Sequence, residues 1–319
     1  MTEAAPPLSA KSPDDLLEGI ARVLADRSEA QLESFRARVA EILASTPEEV
    51  IREALVRFEQ TGDEWGYHPP IQLARDLHHA LADLSVLPGS ELIGALRLAA
   101  ASASPLIFLS NHLSYADANL FEILLERSGH SAVAQRLTVV AGPKVYSDPF
   151  RRLSSLCFGT IKTPQSSARS SGEAVMSARE VARRARQSIQ AAETRQKAGD
   201  HLLIFVEGSR SRSTSMQHAL AAVSRYLDRP TATLVPIGIA GSEDVVRLGD
   251  EKLYAAKVQI WIGAPFSGEL LLRRCAGRRQ LMMDVIGLRI AQLLPAAYRG
   301  VYGGAASTLD EARSIAGSL

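Results

Sequence analysis

From Ser12 to about Ser104, apolar residues recur at three- and four-residue intervals, and the intervals are broken by proline, glycine or polar clusters. This spacing predicts helices over SPDDLLEGIARVLA, SEAQLESFRARVAEILA, TPEEVIREALVRFEQ, PPIQLARDLHHALADL and SELIGALRLAA. Ser12-Pro13, Ser28-Glu29 and Thr46-Pro47 read as helix starts, because a hydroxyl can satisfy first-turn amides and an acid or proline suits the following turn. No alternating strand pattern is visible in this part. After Pro105 the pattern changes to short apolar runs (PLIFLS, RLTVVAG, LCFGTIK, HLLIFVE, ATLVPIGIA and KVQIWIG) separated by longer amphipathic segments such as ANLFEILLERSG, DPFRRLSSL and TSMQHALAAVSRYLDR. That alternation predicts an α/β fold: a mixed, largely parallel sheet flanked by helices. The predicted organisation is an N-terminal all-helical region over residues 1–104 and an α/β domain over 105–319. The most apolar stretch, LIGALRLAAASASPLIFLS, is interrupted by Arg97, Ser102, Ser104 and Pro105, and reads as helix, turn and buried strand rather than a membrane span.

Charge changes the picture only when it is divided. Residues 1–100 carry 9 basic and 17 acidic side chains, and the remainder carry 27 and 18, so a near-neutral chain of net charge +1 has an acidic front and a basic body. A basic body favours phosphate-bearing ligands, an acidic carrier protein or an anionic membrane surface. Its densest part is the helical segment from Gly172 to Lys197, with Arg179, Arg183, Arg184 and Arg186. Nucleic acid is not expected there, because aromatic and basic residues do not interleave. Cys157 and Cys275 have no CxxC partner, no secretory signal is visible, and no HExxH, P-loop or GxGxxG occurs. A cytoplasmic location with no metal and no nucleotide redox cofactor is expected.

In open α/β sheets ligands collect beyond the carboxyl ends of strands, so the chemistry is sought there. The first exit is NHLSYAD, where His112 and Asp117 follow an apolar strand. A histidine with a carboxylate partner can take a proton from a hydroxyl near neutral pH. On a continuous helix a five-residue step leaves the two side chains roughly 140 degrees apart. If His112 sits in the loop and Ser114 caps a helix whose third position is Asp117, the carboxylate can fold back toward the ring. The same Ser-x-x-Asp spacing also serves as a plain capping box. The second exit, HLLIFVEGSRSRS, places Glu207, Gly208, Ser209, Arg210 and Arg212 in one turn. Glycine allows close backbone approach, and arginines at alternate positions offer forked donors to phosphate oxygens. Lys144 and Lys162 lie at two further exits, and Pro236 interrupts the apolar run LVPIGI.

Together these blocks resemble the glycerol-phosphate acyltransferase superfamily. NHLSYAD is similar to its Asn-His-x-x-x-x-Asp block, residues 142–162 to the second block, FVEGSRS to Phe-Pro-Glu-Gly-Thr-Arg-Ser, and LVPIGI to the fourth. Val206 stands where proline is usual, and Ser209 where threonine is. The run VYSDPFRRLS and the Arg-x-Arg spacing look most like soluble plastid-type glycerol-3-phosphate acyltransferases, while the tail LPAAYRGVYG also resembles bacterial lysophosphatidate enzymes. The resemblance implies His112 as general base and Asp117 as its orienting partner. It also implies an acceptor site shaped by Glu207, Gly208 and Ser209, phosphate contacts from Lys144, Lys162, Arg210 and Arg212, and Pro236 on the acyl side. The implied donor is acyl-CoA or acyl-carrier protein. The implied acceptor is glycerol-3-phosphate or a lysophospholipid such as 1-acylglycerol-3-phosphate, with peripheral contact at the inner face of the membrane. A loop N–H near His112 or Gly208 would hold the oxyanion. A phosphate- or lipid-binding module without turnover is the non-enzymatic alternative.

Overall fold

Residues Leu106–Ser110 form a strand whose side chains are buried on both faces, Leu106 and Phe108 in one apolar cluster and Ile107 and Leu109 in the other. A strand buried on both sides needs helices over each, and the rest of the chain supplies them. The computed structural model describes residues 12–59, 65–102, 104–146, 148–164, 176–228, 232–250 and 252–319. In chain order the first elements are α1 (Pro13–Val23), α2 (Glu29–Ser45), α3 (Glu48–Glu59), β1 (Tyr67–His68), α4 (Gln72–Ser85), β2 (Glu91–Ile93) and α5 (Leu96–Ala101). There follow β3 (Leu106–Ser110), α6 (Asp117–Arg127), α7 (Ser131–Ala134), β4 (Leu137–Ala141), α8 (Pro143–Tyr146), α9 (Pro149–Ser155), β5 (Gly159–Lys162) and α10 (Ala178–Lys197). The last are β6 (His201–Phe205), β7 (Thr233–Ala240), β8 (Gln259–Ile262), β9 (Phe266–Ser267), α11 (Gly268–Arg274), α12 (Arg279–Ala291) and α13 (Asp310–Ala316).

The nine strands make one sheet in the order β1-β5-β4-β6-β3-β7-β8-β2, with β9 also on β7. Strands β3 to β7 are mutually parallel, while β1 runs antiparallel to β5, β8 and β9 run antiparallel to β7, and β2 runs parallel to β8. All six apolar runs expected as strands are strands. Helix α6 and the N-terminal helices share the cluster that holds Phe108; α10, α12 and α13 share the cluster that holds Ile107. The fold is therefore α/β with a mixed sheet between two helical layers. Phe108 meets Phe121 edge-on at 5.1 Å, which ties α6 to β3 and fixes where Asp117, the first residue of α6, comes to rest.

Four local expectations need correction. The region before residue 104 is helical except for β1 and β2, which lie at the two edges of the sheet; strands of two and three residues are too short to print an alternating pattern. SELI is therefore strand rather than helix, pairing Glu91–Ile93 with β8, and Gly94 at φ +80° breaks the chain before α5. Thr46 closes α2 rather than opening α3, its hydroxyl donating to the Ile42 carbonyl at 2.7 Å. The segment after GSRSRS forms no α-helix: Ala221–Leu227 is a 3₁₀ helix. The basic segment is helical over Ala178–Lys197; residues 172–175 lie outside the described residues. Among the described residues no helix is long and apolar enough to cross a membrane.

Candidate active site

The site lies where the adjacent parallel strands β3 and β6 end. Beyond Ser110 the pairing of β3 with β7 is prolonged by a side chain: Asn111 Nδ2 donates to the Ile239 carbonyl at 2.9 Å, and Asn111 Oδ1 accepts the Ile239 N–H at 2.8 Å. The next residue, His112, is stitched to the other exit. Its N–H donates to Glu207 Oε1 at 3.1 Å, and its carbonyl accepts the Ser211 N–H at 2.8 Å. Its ring stacks on Phe205 with centroids 4.1 Å apart, so backbone and ring are both immobilised.

Asp117 is fully buried and its Oδ2 lies 2.8 Å from His112 Nδ1. The same oxygen accepts the N–H groups of Leu113 and Ser114 at 2.8 and 3.0 Å. A carboxylate oxygen that already gathers two donors acts as an acceptor, so Nδ1 carries the proton and Nε2 keeps its lone pair. Nε2 makes no hydrogen bond to the described residues, and the His112 side chain is 13% exposed. Ser114 does not cap α6 as expected: Asp117 is the first residue of the helix rather than its third, Ala116 precedes it with no side-chain cap, and Ser114 Oγ instead accepts the Ala116 N–H within the turn that folds Asp117 back over the histidine.

Glu207 is buried. Besides the His112 N–H it accepts the Gln217 N–H at 2.8 Å, and burial pushes its carboxyl above the usual range. Gly208 has φ +66°, and a Cβ there would meet Leu220 Cδ1 at 2.5 Å. Arg210 is half-buried and forms no hydrogen bond or ion pair within the described residues; burial lowers its pKa. Its guanidinium lies 4.3 Å from the Tyr115 ring centroid, and the Tyr115 ring meets His112 edge-on at 6.4 Å.

Residues 97–240 match the family model described as Acyltransferase. That stretch is similar to an acyltransferase domain. The chain is also similar to the 1-acyl-sn-glycerophosphate (LPA) acyltransferase PlsC from Thermotoga maritima, at 14% identity over 80% of this chain and 85% of that one, with a TM-score of 0.43. No curated protein matches. The matched stretch contains β3 to β7, the strands whose carboxyl ends build the site.

Within the matched stretch the residues singled out by sequence fall into two groups. His112, Asp117, Glu207, Gly208, Ser209 and Arg210 come together at the β3 and β6 exits. Arg212 is on the same loop and exposed. Lys144 is exposed on α8, and Lys162 is buried near the end of β5 with its ammonium 4.5 Å from the Tyr146 ring centroid. Lys162 is separated from β3 by β4 and β6, about 14 Å at the usual strand spacing. Pro236 is within β7, paired with Leu109, at the point where the antiparallel partner changes from β9 to β8. Its missing N–H falls at that junction. Val206, where proline is usual, donates its N–H to the Ser110 carbonyl at 2.9 Å, a bond proline would forfeit. The N–H groups expected to face an oxyanion are engaged: that of His112 by Glu207, that of Gly208 by the Phe205 carbonyl at 3.1 Å. Those of Ser209 and Arg210 make no hydrogen bond within the described residues.

Sequence reasoning overlooked Asn111, Phe205, Tyr115 and Arg151. Asn111 stood in the first block without an assigned role. Arg151 lies in the run VYSDPFRRLS, which entered the family resemblance without a role for the residue; Asp148 Oδ1 accepts the Arg151 N–H at 2.9 Å.

Proposed function

We propose that the domain moves a fatty acyl group from the thioester of acyl-CoA or acyl-carrier protein to a hydroxyl of glycerol-3-phosphate. The alternative acceptor is 1-acylglycerol-3-phosphate or another lysophospholipid. The observation that carries this reading is the 2.8 Å contact between His112 Nδ1 and Asp117 Oδ2, with Nε2 left able to accept a proton.

Nε2 takes the proton of the acceptor hydroxyl as its oxygen attacks the thioester carbonyl carbon. The C–S bond then breaks, the acyl oxygen ester remains, and the imidazolium returns the proton to the departing thiolate. Asp117 stabilises the transient imidazolium and holds its tautomer. The scheme needs no acyl-enzyme intermediate, metal or redox cofactor. Buried Cys157 and Cys275 fit that economy: burial raises both thiols, Cys275 to about 11, which disfavours the nucleophilic thiolate. The Ser209 and Arg210 amides are the proposed oxyanion donors, replacing those expected from sequence. Arg210, half-buried and without an ion pair among the described residues, is the best-supported of the phosphate-binding candidates; Arg212, Lys144 and Lys162 follow it. Glycerol-3-phosphate would be met in the cytoplasm, and a lysophospholipid at the inner face of the membrane.

The test incubates the purified protein with acyl-CoA or acyl-carrier protein and either acceptor, and identifies products by mass spectrometry. Acyl transfer by the wild type and a loss of at least about 100-fold in His112→Ala, with an unchanged thermal melt, is the expected result. Transfer to no acceptor would favour the binding module, and an active His112→Ala would remove the histidine from the mechanism.

A further inference from the structure

The two oxygens of Asp117 are treated unequally. Oδ2 takes three hydrogen bonds, whereas Oδ1 is buried and finds no partner among the described residues. Ser110, the last residue of β3, is fully buried, and its Oγ is likewise without a partner among them. Register sets these two atoms toward each other. Alternate residues of a strand share a face, so Ser110 points the way Phe108 does; residues four apart on a helix share a face, so Asp117 points the way Phe121 does. Phe108 meets Phe121 with ring centroids 5.1 Å apart. From that contact, two residues toward the carboxyl end of β3 and one turn back along α6 are both steps of about 6–7 Å, which brings Ser110 opposite Asp117. Two phenylalanines span the layer between strand and helix, but a serine and an aspartate are too short to meet across it. A single water suits a gap that is polar on both sides: it accepts the Ser110 hydroxyl proton and donates to Oδ1. An ionised oxygen buried with no donor is costly, as is an unpaired hydroxyl, and one water satisfies both.

We propose that Ser110 is a positioning residue for the His112–Asp117 pair, its Oγ joined through one buried water to Asp117 Oδ1. The inference deepens the acyl-transfer reading given above and rests on it for the effect on turnover. The pair is anionic without a proton on it and neutral with one, so a donor to Oδ1 favours the unprotonated pair, the form able to take a proton from a hydroxyl. Other groups also bear on the pair. Glu207 and Arg210 act on Asp117 from the β6 exit, Tyr115 meets the His112 ring edge-on, and Arg151 of α9 lies over the Tyr115 ring. All of these are retained when Ser110 is substituted, so a change in proton uptake reports the serine.

The test follows the His112 ring signal by NMR against pH in the full chain, comparing the wild type with Ser110→Ala and Ser110→Thr, and needs no turnover. In Ser110→Ala the pair should take up its proton about one pH unit higher than in the wild type, the shift expected from losing one hydrogen bond to a charged group. Ser110→Thr, which keeps the hydroxyl, should titrate as the wild type does. In acyl-transfer assays the acid limb of kcat/KM should move with it, giving Ser110→Ala about a 10-fold loss on that limb and less than about a 2-fold change on the plateau. A crystal structure of the wild type should hold one water within about 3.2 Å of both oxygens. An unmoved titration in Ser110→Ala, a Ser110→Thr variant that titrates as Ser110→Ala does, or no water between the two oxygens would overturn the bridge. If the variants do not fold, by their thermal melts, the wild-type crystal structure decides. A protein whose titration moves as expected yet transfers no acyl group would sink the catalytic reading and leave the bridge standing.

Discussion

Asp117 Oδ2 gathers three donors, the His112 ring N–H and the backbone N–H groups of Leu113 and Ser114, so one oxygen both folds the turn and orients the imidazole. Asp117→Asn keeps an acceptor oxygen but removes the charge that stabilises an imidazolium. Turnover should fall by about 10³- to 10⁴-fold with little change in KM. The new amide has a buried nitrogen where Oδ1 finds no partner among the described residues, so stability should fall by about 1–3 kcal/mol. Steady-state kinetics beside a thermal melt separates the two effects; an Asn variant with more than a tenth of wild-type turnover would contradict the assigned role.

Glu207 joins the two strand exits by accepting from His112 N–H on one oxygen and Gln217 N–H on the other. In Glu207→Gln one of those amides faces an NH₂ group, and denaturant unfolding should show a loss of about 1–3 kcal/mol. The pH profile should flatten as well. Burial raises the carboxyl's folded pKa, so its protonated form is favoured in the folded protein, and the wild type loses stability as pH rises from the unfolded value through the raised folded one. The Gln variant has no such limb; an identical pH dependence in the two proteins would contradict the assignment.

His201 sits at the start of β6, where its Nδ1 accepts the Leu106 N–H at 3.0 Å, and burial lowers its pKa to about 4. The neutral ring is favoured on folding. Its contribution is therefore complete above the unfolded value near 6.5 and is lost as pH falls through 4. Asparagine can present an acceptor at the same place without titrating. In His201→Asn the slope of stability against pH between 6.5 and 4 should decrease by up to about 1.4 kcal/mol per pH unit. Buried His78, also lowered to about 4, should keep the remaining slope in the variant. Unchanged slopes in urea titrations across that range would show that His201 does not carry the proton linkage.

Gly300 locks the tail over the segment that follows Glu207. Its φ is +48°, and a Cβ would lie 1.9 Å from the Met216 carbonyl oxygen, a backbone atom with no freedom to yield. Met216 also donates to the Tyr298 carbonyl at 2.9 Å and accepts the Val301 N–H at 3.1 Å. Gly300→Ala should cost about 2–4 kcal/mol, whereas Gly304→Ala, with nothing within 4 Å, should stay within about 0.5 kcal/mol. Thermal melts of the pair test this, and equal melting temperatures would count against the lock.

The central strands were legible because burial on both faces makes each a short continuous apolar run, set off from the amphipathic segments between them. β1 and β2 were not, since two or three residues carry no period and their place is assigned by the neighbours they find, Ile161 and Gln259 among them. Thr46 could equally close one helix or open the next, and only the position of Pro47 and the Ile42 carbonyl decides between them. Ser-x-x-Asp likewise fitted a plain cap and a catalytic turn. The structure makes it a turn before the helix rather than a cap, and the Leu113 and Ser114 N–H groups carry the carboxylate onto the imidazole.

By itself, the sequence determined the six central strands, the helical layer that precedes them, and the two exits that bear His112 and Glu207, since these follow from local periodicity and from residue chemistry at strand ends. Only the tertiary structure decided which exits touch. Strand order places β6 beside β3 and leaves β5 two strands beyond it, so Glu207 and Arg210 reach the His112 site while Lys162 stands apart. It also brought Arg151 and Arg210, fifty-nine positions apart in the chain, to one tyrosine ring. Such meetings depend on long-range sheet assembly and helix packing, whose free energy is spread over the whole core and leaves no mark at the residues that meet.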